Sequence, residues 1–164
     1  MGHNTALTMP DTAEDLKEFM RRFPQGVTVV TARGPIGTTV SSFISVSLSP
    51  PLILIALDSN SRTGKVIRET GLFAVNLLSE EMASISETFA HKPHAERFLN
   101  IPQGFTENGL PIIDGIIGYM ECRLRDILGA GDHNLYIGEV LTARVLNDKL
   151  PLVYHMRKYT SVRV

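Results

Sequence analysis

From Gly26 onward the chain is built of short β-branched and apolar runs, each stopped by Gly, Pro, Asp or Ser, a rhythm that suits strands better than long helices. Val27 to Thr31, a Gly34-Pro35-Ile36-Gly37 turn and then Thr38 to Leu48 have the pattern of a β-hairpin. After Pro50 and Pro51, Leu52 to Leu57 is apolar without a break, as a strand covered on both faces would be. Leu72 to Leu78 repeats that texture. Further on, Ile116, Gly118, Met120, Cys122 and Leu124 alternate against Tyr119, Glu121, Arg123 and Arg125. Leu135 to Val145 alternates again beyond a Gly129-Ala130 turn, and Leu152 to Tyr159 supplies a last short strand.

The helical segments are short and carry their own start signals. Asp11, with Glu14 three residues on, opens an amphipathic lid or packing helix bearing Leu16, Phe19, Met20 and Phe23, which Pro24 and Gly26 end. Ser61 opens a second helix that runs through Glu69 to a stop at Gly71, and Ser79 opens a third carrying Met82, Ile85 and Phe89. His91 to Asp114 is rich in Pro, Gly, Asn and charge, shows no sustained period, and is expected as a long surface loop. About six or seven strands joined by hairpins, with short helices between them, predict a mainly β fold closed as an antiparallel barrel rather than a doubly wound sheet.

The bulk numbers bound the function. A chain of 164 residues without repeats is expected to form a single domain over 1–164, with residues 1–10 a flexible start. Its 43% hydrophobic and 20% charged residues argue against disorder, and a net charge of −1 without a basic block gives no footprint for nucleic acid. No apolar run reaches the ~20 residues of a membrane helix. The start lacks a signal core, and Ala6 stands where a myristoylation motif after Gly2 needs Ser or Thr. A soluble, cytoplasmic protein without a membrane partner is expected. Cys122, the single cysteine, is expected as a small buried hydrophobe.

Three segments have the residue types that chemistry needs. Along Thr38 to Ser49, one face leans apolar (Thr38, Val40, Ser42, Ile44, Val46, Leu48) and the other is a row of Thr39, Ser41, Ser45, Ser47 and Ser49 broken by Phe43. Such a row can hold the polar edge of a heteroaromatic ring, although an exposed polar face is the commoner cause of the same alternation. Asp58-Ser59-Asn60-Ser61-Arg62-Thr63 joins a strand to a helix start, where free N–H groups and a nearby Arg62 or Lys65 suit a phosphate; capping alone also accounts for these residues. Gly131-Asp132-His133 precedes a strand. Gly129-x-Gly131 is not a dinucleotide fingerprint, because Asn134 fills the third glycine position and no helix follows. His91-x-x-His94 lacks a third ligand at zinc spacing, and no G-x-S-x-G elbow supports a serine nucleophile.

Taken in order, Gly37-Thr38-Thr39-Val40-Ser41-Ser42-Phe43, Ser45-Val46-Ser47-Leu48-Ser49-Pro50-Pro51-Leu52, Asp58-x-x-Ser61-x-Thr63, Phe73-x-Val75-Asn76-Leu77-Leu78 and Gly131-Asp132-His133 resemble the short-chain flavin reductases. These are the small reductase components of two-component flavin-dependent monooxygenases, and the resemblance runs from about Phe19 to Val162. It implies an FMN-binding split β-barrel, a homodimer, and flavin lying near the subunit interface. It also implies hydride transfer from NADH or NADPH to FMN or FAD, with reduced flavin supplied to a separate oxygenase. Thr38, Thr39, Val40, Ser41 and Ser42 would lie along the isoalloxazine and ribityl chain, and Leu57, Asp58, Ser61 and Thr63 towards the phosphate. Ala90, His91 and Lys92 would add flavin contacts after the third helix, with Lys92 opposing phosphate charge. His133 would face the nicotinamide nucleotide, and Tyr159 belongs to the closing Arg157-Lys158-Tyr159 segment. No metal and no obligatory general acid or base is implied. A flavin sensor or carrier without reductase activity, or an oxidase acting on pyridoxamine phosphate, remains an alternative on the same barrel.

Overall fold

The computed structural model describes residues 11–164; the flexible start expected over 1–10 lies outside them. In chain order the elements are helix α1 (Thr12–Met20), strands β1 (Gln25–Gly26), β2 (Thr28–Ala32), β3 (Ile36–Val40), β4 (Phe43–Leu48) and β5 (Pro51–Asp58), then α2 (Arg62–Thr70), β6 (Leu72–Leu77) and α3 (Ala83–His91). There follow β7 (Gln103–Phe105), β8 (Pro111–Ile113), the long β9 (Gly118–Ala130) and β10 (His133–Val145), and the short β11 (Val153–His155) and β12 (Lys158–Thr160).

Seven strands form one sheet in the order β3-β2-β6-β9-β10-β5-β4, every pair antiparallel. Its two edge strands are neighbours in sequence, joined only by Ser41 and Ser42. Three Cα steps separate Val40 from Phe43 and reach at most ~11 Å, so the sheet must curl until its edges almost meet. The result is a β-barrel split along one seam, with Ser41-Ser42 crossing it. The single hairpin arm expected from Thr38 to Leu48 is thus two strands on opposite edges. Ser42 makes the break: its carbonyl accepts from Ala56 N–H at 3.1 Å and its hydroxyl donates to Ala56 O at 2.8 Å, pulling the chain from β2 towards β5.

The barrel interior holds Val30, Ile53, Ile55, Leu57, Ile67, Phe73, Cys122 and Tyr136. A second core, of Val27, Val29, Leu78, Phe89, Ile113, Ile116 and Leu152, lies on the opposite face of β2, which is why every residue of that strand is buried. Burial pushes the Cys122 thiol up to about 12, so it stays protonated and inert. The strand at Leu52 to Leu57 is covered on one face only, with Ile53, Ile55 and Leu57 buried and Leu52, Leu54 and Ala56 half-buried.

Other expectations shift for reasons of length and burial. His91 to Asp114 is no plain surface loop. It contains a 3₁₀ turn at His94–Glu96 and the β7–β8 hairpin, and it buries Arg97, Leu110 and Ile113. Strands of three residues are too short to register a period. Gly129 and Ala130 extend β9, and the turn is Gly131-Asp132, where Gly131 takes φ +63°. The closing strand is a hairpin whose turn residues, Met156 and Arg157, both have positive φ. Helix α1 starts at Asp11 as expected, yet buries nothing within the chain: Leu16 and Phe19 are exposed. The apolar row of β4 likewise faces outward, with Leu48 91% exposed. Among the described residues no helix is long and apolar enough to cross a membrane.

Candidate functional site

Strand order places the hydroxyl-bearing segment beside the capped helix. A groove of about 500 Å³ runs from Thr38, Thr39, Val40, Ser41 and Ser42 past Ala56, Leu57, Asp58, Asn60 and Ser61 to Arg62, His94 and Arg97, with His133 also on its wall. Segments distant in sequence converge here because β5 lies between β4 and β10, pairing Asp58 with His133, while α2 starts where β5 ends.

The turn before α2 is held by its own side chains. Asp58 Oδ1 accepts from Asn60 N–H at 2.8 Å, Asp58 O accepts from Ser61 N–H at 2.9 Å, and Ser61 Oγ caps Gly64 N–H at 3.1 Å. The Arg62 and Thr63 N–H groups keep the unpaired state usual for a first helical turn. Gly64 lets this turn sit tightly on the barrel, since a Cβ there would strike the Tyr136 hydroxyl. Thr63 is fully buried behind the wall rather than in it, and its Oγ1 has no partner.

Opposite stands Arg97, 8% exposed, whose Nε donates to Lys92 O and whose Nη1 donates to Gly37 O, both at 2.8 Å. Those bonds lock the guanidinium against β3 and use two of its five N–H donors. Among the described residues, neither Arg97 nor Arg62 has a carboxylate within ion-pair distance. Burial, then Arg62, lowers the affinity of Arg97 for its proton. His94 Nδ1 is buried without a partner, and burial followed by the charges of Arg97 and Arg62 pushes the imidazole below its usual range. Two cations facing each other without a counter-charge, beside unpaired donors, make an end of the groove that an anion would stabilise.

At the seam, the N–H groups of Ser41 and Ser42 have no acceptor among the described residues. Thr39 Oγ1 is committed to Ser86 O at 2.6 Å, which fixes β3 to α3. On the far wall, Asp132 Oδ1 and His133 Nδ1 are 2.8 Å apart, and that hydrogen bond holds the Asp132 carboxyl below the usual range. Asp132 O accepts from Ser59 N–H at 2.9 Å, tying the β9–β10 turn to the α2 turn.

The groove thus gathers Thr38 to Ser42, Leu57, Asp58, Ser61 and His133. It leaves out Ala90, which is exposed, and His91, which pairs with Glu87 at 3.1 Å on the outer side of α3. The Lys92 ammonium is absent from the wall as well; what Lys92 contributes is its carbonyl, which anchors Arg97. Tyr159 is remote, its hydroxyl 2.8 Å from that of Ser86, so it reaches the groove only through Ser86 and Thr39. Sequence reasoning missed Arg97 and His94 as members of the site. The only trace was His94 and Arg97 inside a segment expected as loop, where the 3₁₀ turn at His94–Glu96 brings these two, and not His91, to the groove.

Known proteins share this sequence pattern and fold. Residues 20–163 match the flavin reductase like domain family. A probable flavin reductase from Rhizobium meliloti is 42% identical over 129 residues, 76% of this chain, although the chain spans only 41% of that protein's length. The reductase subunit HsaB of a flavin-dependent monooxygenase from Rhodococcus jostii is 31% identical across 89% of this chain and 76% of its own. The NADH:FAD oxidoreductase SgcE6 of Streptomyces globisporus superposes with a TM-score of 0.88 at 31% identity, covering 96% of this chain and 98% of that one. With residues 20–163 matched and the same fold shared over 96% of the chain, the chain belongs to the flavin reductase like domain family.

Proposed function

We propose that the chain works as one domain that transfers hydride from NADH or NADPH to FMN or FAD and supplies reduced flavin to a separate oxygenase. The observation that carries this is the pairing, in one groove, of unpaired N–H donors at the Ser41-Ser42 seam with an uncompensated cationic end at Arg62 and Arg97, beside the partnerless His94 Nδ1. A flavin has the matching parts, a polar-edged ring and an anionic tail, and the unpaired buried atoms fit both.

Bound flavin supplies the two-electron acceptor, so the protein has to orient and shield rather than donate or remove a proton. The Ser41 and Ser42 N–H groups are placed to stabilise negative charge that develops on a ring edge. Ser61 Oγ, already accepting from Gly64 N–H, keeps its own proton to donate to a phosphate oxygen. His133, oriented by Asp132, keeps Nε2 for the nicotinamide nucleotide.

The working unit is a homodimer. An apolar trough lined by Phe23, Ile44 and Leu54 shares Ser41 and Ser42 with the flavin groove, and Phe43 and Leu77 continue it into a second trough beside Tyr119 and Val145. An exposed apolar band at a sheet edge suits a second copy, and it would bring that copy to the seam. Mixing the protein with NADH and FMN or FAD tests the assignment. Loss of nicotinamide absorbance that requires added flavin is expected; oxidation independent of flavin, or none at all, contradicts it. An unchanged nicotinamide signal alongside tight flavin binding points to a carrier.

A further inference from the structure

We propose that the cleft between the end of α1 and the β11–β12 hairpin is a second binding site, separate from the groove, that takes a small aromatic carboxylate. Met20, Tyr154 and Met156 hold the ring, and Arg21 and Arg157 hold the carboxylate.

The cleft encloses about 310 Å³, within the range of small-molecule sites, and none of its lining residues belongs to the groove. Its walls are rich in groups that pack on an aromatic ring: two thioethers, the Tyr154 ring and Phe23. Tyr154 is fixed before any ligand arrives, because β11 pairs it with Gln25 on one side and Tyr159 on the other. Its ring lies tilted against that of Tyr159, with centroids 5.3 Å apart. An ordered aromatic wall loses little freedom on binding.

The rim is cationic. Lys17 pairs with Glu14 at 3.1 Å and Arg21 Nη1 donates to Glu18 at 2.8 Å, so both of these charges are answered within α1. Two donor groups remain over. Arg21 Nε is buried without a partner, and Arg157 makes no ion pair among the described residues. A buried N–H without an acceptor is a costly state that a ligand oxygen ends, and a carboxylate has two oxygens to divide between Nε and the second guanidinium. A neutral ring leaves both donors as they are, and a small anion without a ring leaves the apolar wall in water.

The backbone brings these groups together in an unusual way. Met156 and Arg157 are consecutive non-glycine residues with φ +53° and +58°, left-handed conformations that a side chain disfavours. Met156 N–H donates to Arg21 O at 2.8 Å, which ties this strained turn to the end of α1 and presents both of its side chains to the cleft. Phe23 lines the cleft and also the trough that shares Ser41 and Ser42 with the groove, so it stands between the two sites.

The test is calorimetric titration of the native protein with benzoate, benzyl alcohol and acetate. One benzoate per chain is expected, bound about tenfold or more tightly than the neutral ring or the ringless anion. Saturating FMN should leave that affinity within about twofold. Arg157→Gln should weaken benzoate about fivefold, Arg157→Lys should restore part of the loss, and Arg21→Gln should weaken it as much or more. Arg157 is an exposed turn residue, so its variants keep the test readable if Arg21→Gln does not fold. Absence of saturable benzoate binding, equal binding of benzyl alcohol, or native affinity in Arg157→Gln overturns the proposal. Displacement of benzoate by FMN places the ligand in the groove and overturns it as well. Failure of FMN to bind counts against the flavin assignment alone, because the benzoate titrations are read without flavin.

Discussion

Two polar clusters in this barrel are built from similar groups and finished in opposite ways. Around Asn76, fully buried on β6, the side-chain amide donates to Val29 O at 3.0 Å and Thr31 Oγ1 at 3.2 Å and accepts from Ile113 N–H at 3.0 Å; Thr31 Oγ1 in turn donates to Pro111 O at 2.6 Å. The amide stitches β2, β6 and the β7–β8 hairpin together. At the groove, by contrast, His94 Nδ1 is buried without a partner, and Arg62 and Arg97 face each other without a counter-charge. Buried polar groups are ordinarily paired because leaving them unpaired is costly. A cluster that closes on itself serves the fold, and one left open in a groove is completed by a ligand.

The comparison breaks most visibly at Asn76. Asn76→Ala strands the Ile113 N–H and opens a cavity, and is expected to cost about 3 kcal/mol, or a fall of roughly 6–12 °C in melting temperature, by thermal denaturation. A loss below about 0.5 kcal/mol would mean the network is ornamental. The outward apolar face of β4 is a third case, completed by neither side chains nor a small ligand. Leu48→Asp, at a position 91% exposed, should convert the proposed dimer to monomer in sedimentation equilibrium while leaving the monomer folded. An unchanged mass would remove β4 from the interface.

Behind the groove wall the sign reverses. Thr63→Val keeps the shape and deletes an unpaired hydroxyl, so it should raise stability by about 0.5–1 kcal/mol in urea unfolding, where the same logic at Asn76 predicts a large loss. A destabilising Thr63→Val would show that the hydroxyl has a partner in solution. The smallest effect is in pH. The His94 pKa is lowered by burial, then Arg97 and Arg62, from the ordinary 6.5, so the unfolded chain binds the proton more readily. Its contribution is complete above pH 6.5 and drains away as pH falls below that value towards the depressed folded pKa. His94→Gln should therefore flatten the stability profile slightly on the acid side of pH 6.5 and leave it unchanged above.

Much of this was legible in the chain itself. Capping residues announced α1 and α2, alternation announced β9 and β10, and the ordered motifs drew Thr38 to Ser42, Asp58, Ser61 and His133 to one family and one groove. Ser79, by contrast, opens a 3₁₀ turn at Glu80–Met82, and α3 starts only at Ala83 without a side-chain cap. What stayed hidden depended on long-range partners. The break at Ser41-Ser42 is invisible to alternation because Ser42 is drawn away by Ala56, fourteen residues further on. Glu121 looks like a solvent residue on an alternating strand, yet it is buried and accepts from Thr106 Oγ1 and Asn108 Nδ2. Arg97 read as loop because its brace to Gly37 joins residues 60 apart. Local pattern sets which way a side chain alternates, and only the closed barrel decides what it meets.

The most direct measurement is a crystal structure of the protein grown with FMN. The ring should lie against the Ser41-Ser42 seam, with phosphate oxygens within hydrogen-bonding distance of Ser61 and Arg97. Flavin bound elsewhere, or a groove whose Arg97 and His94 have turned to pair within the chain, would contradict the account.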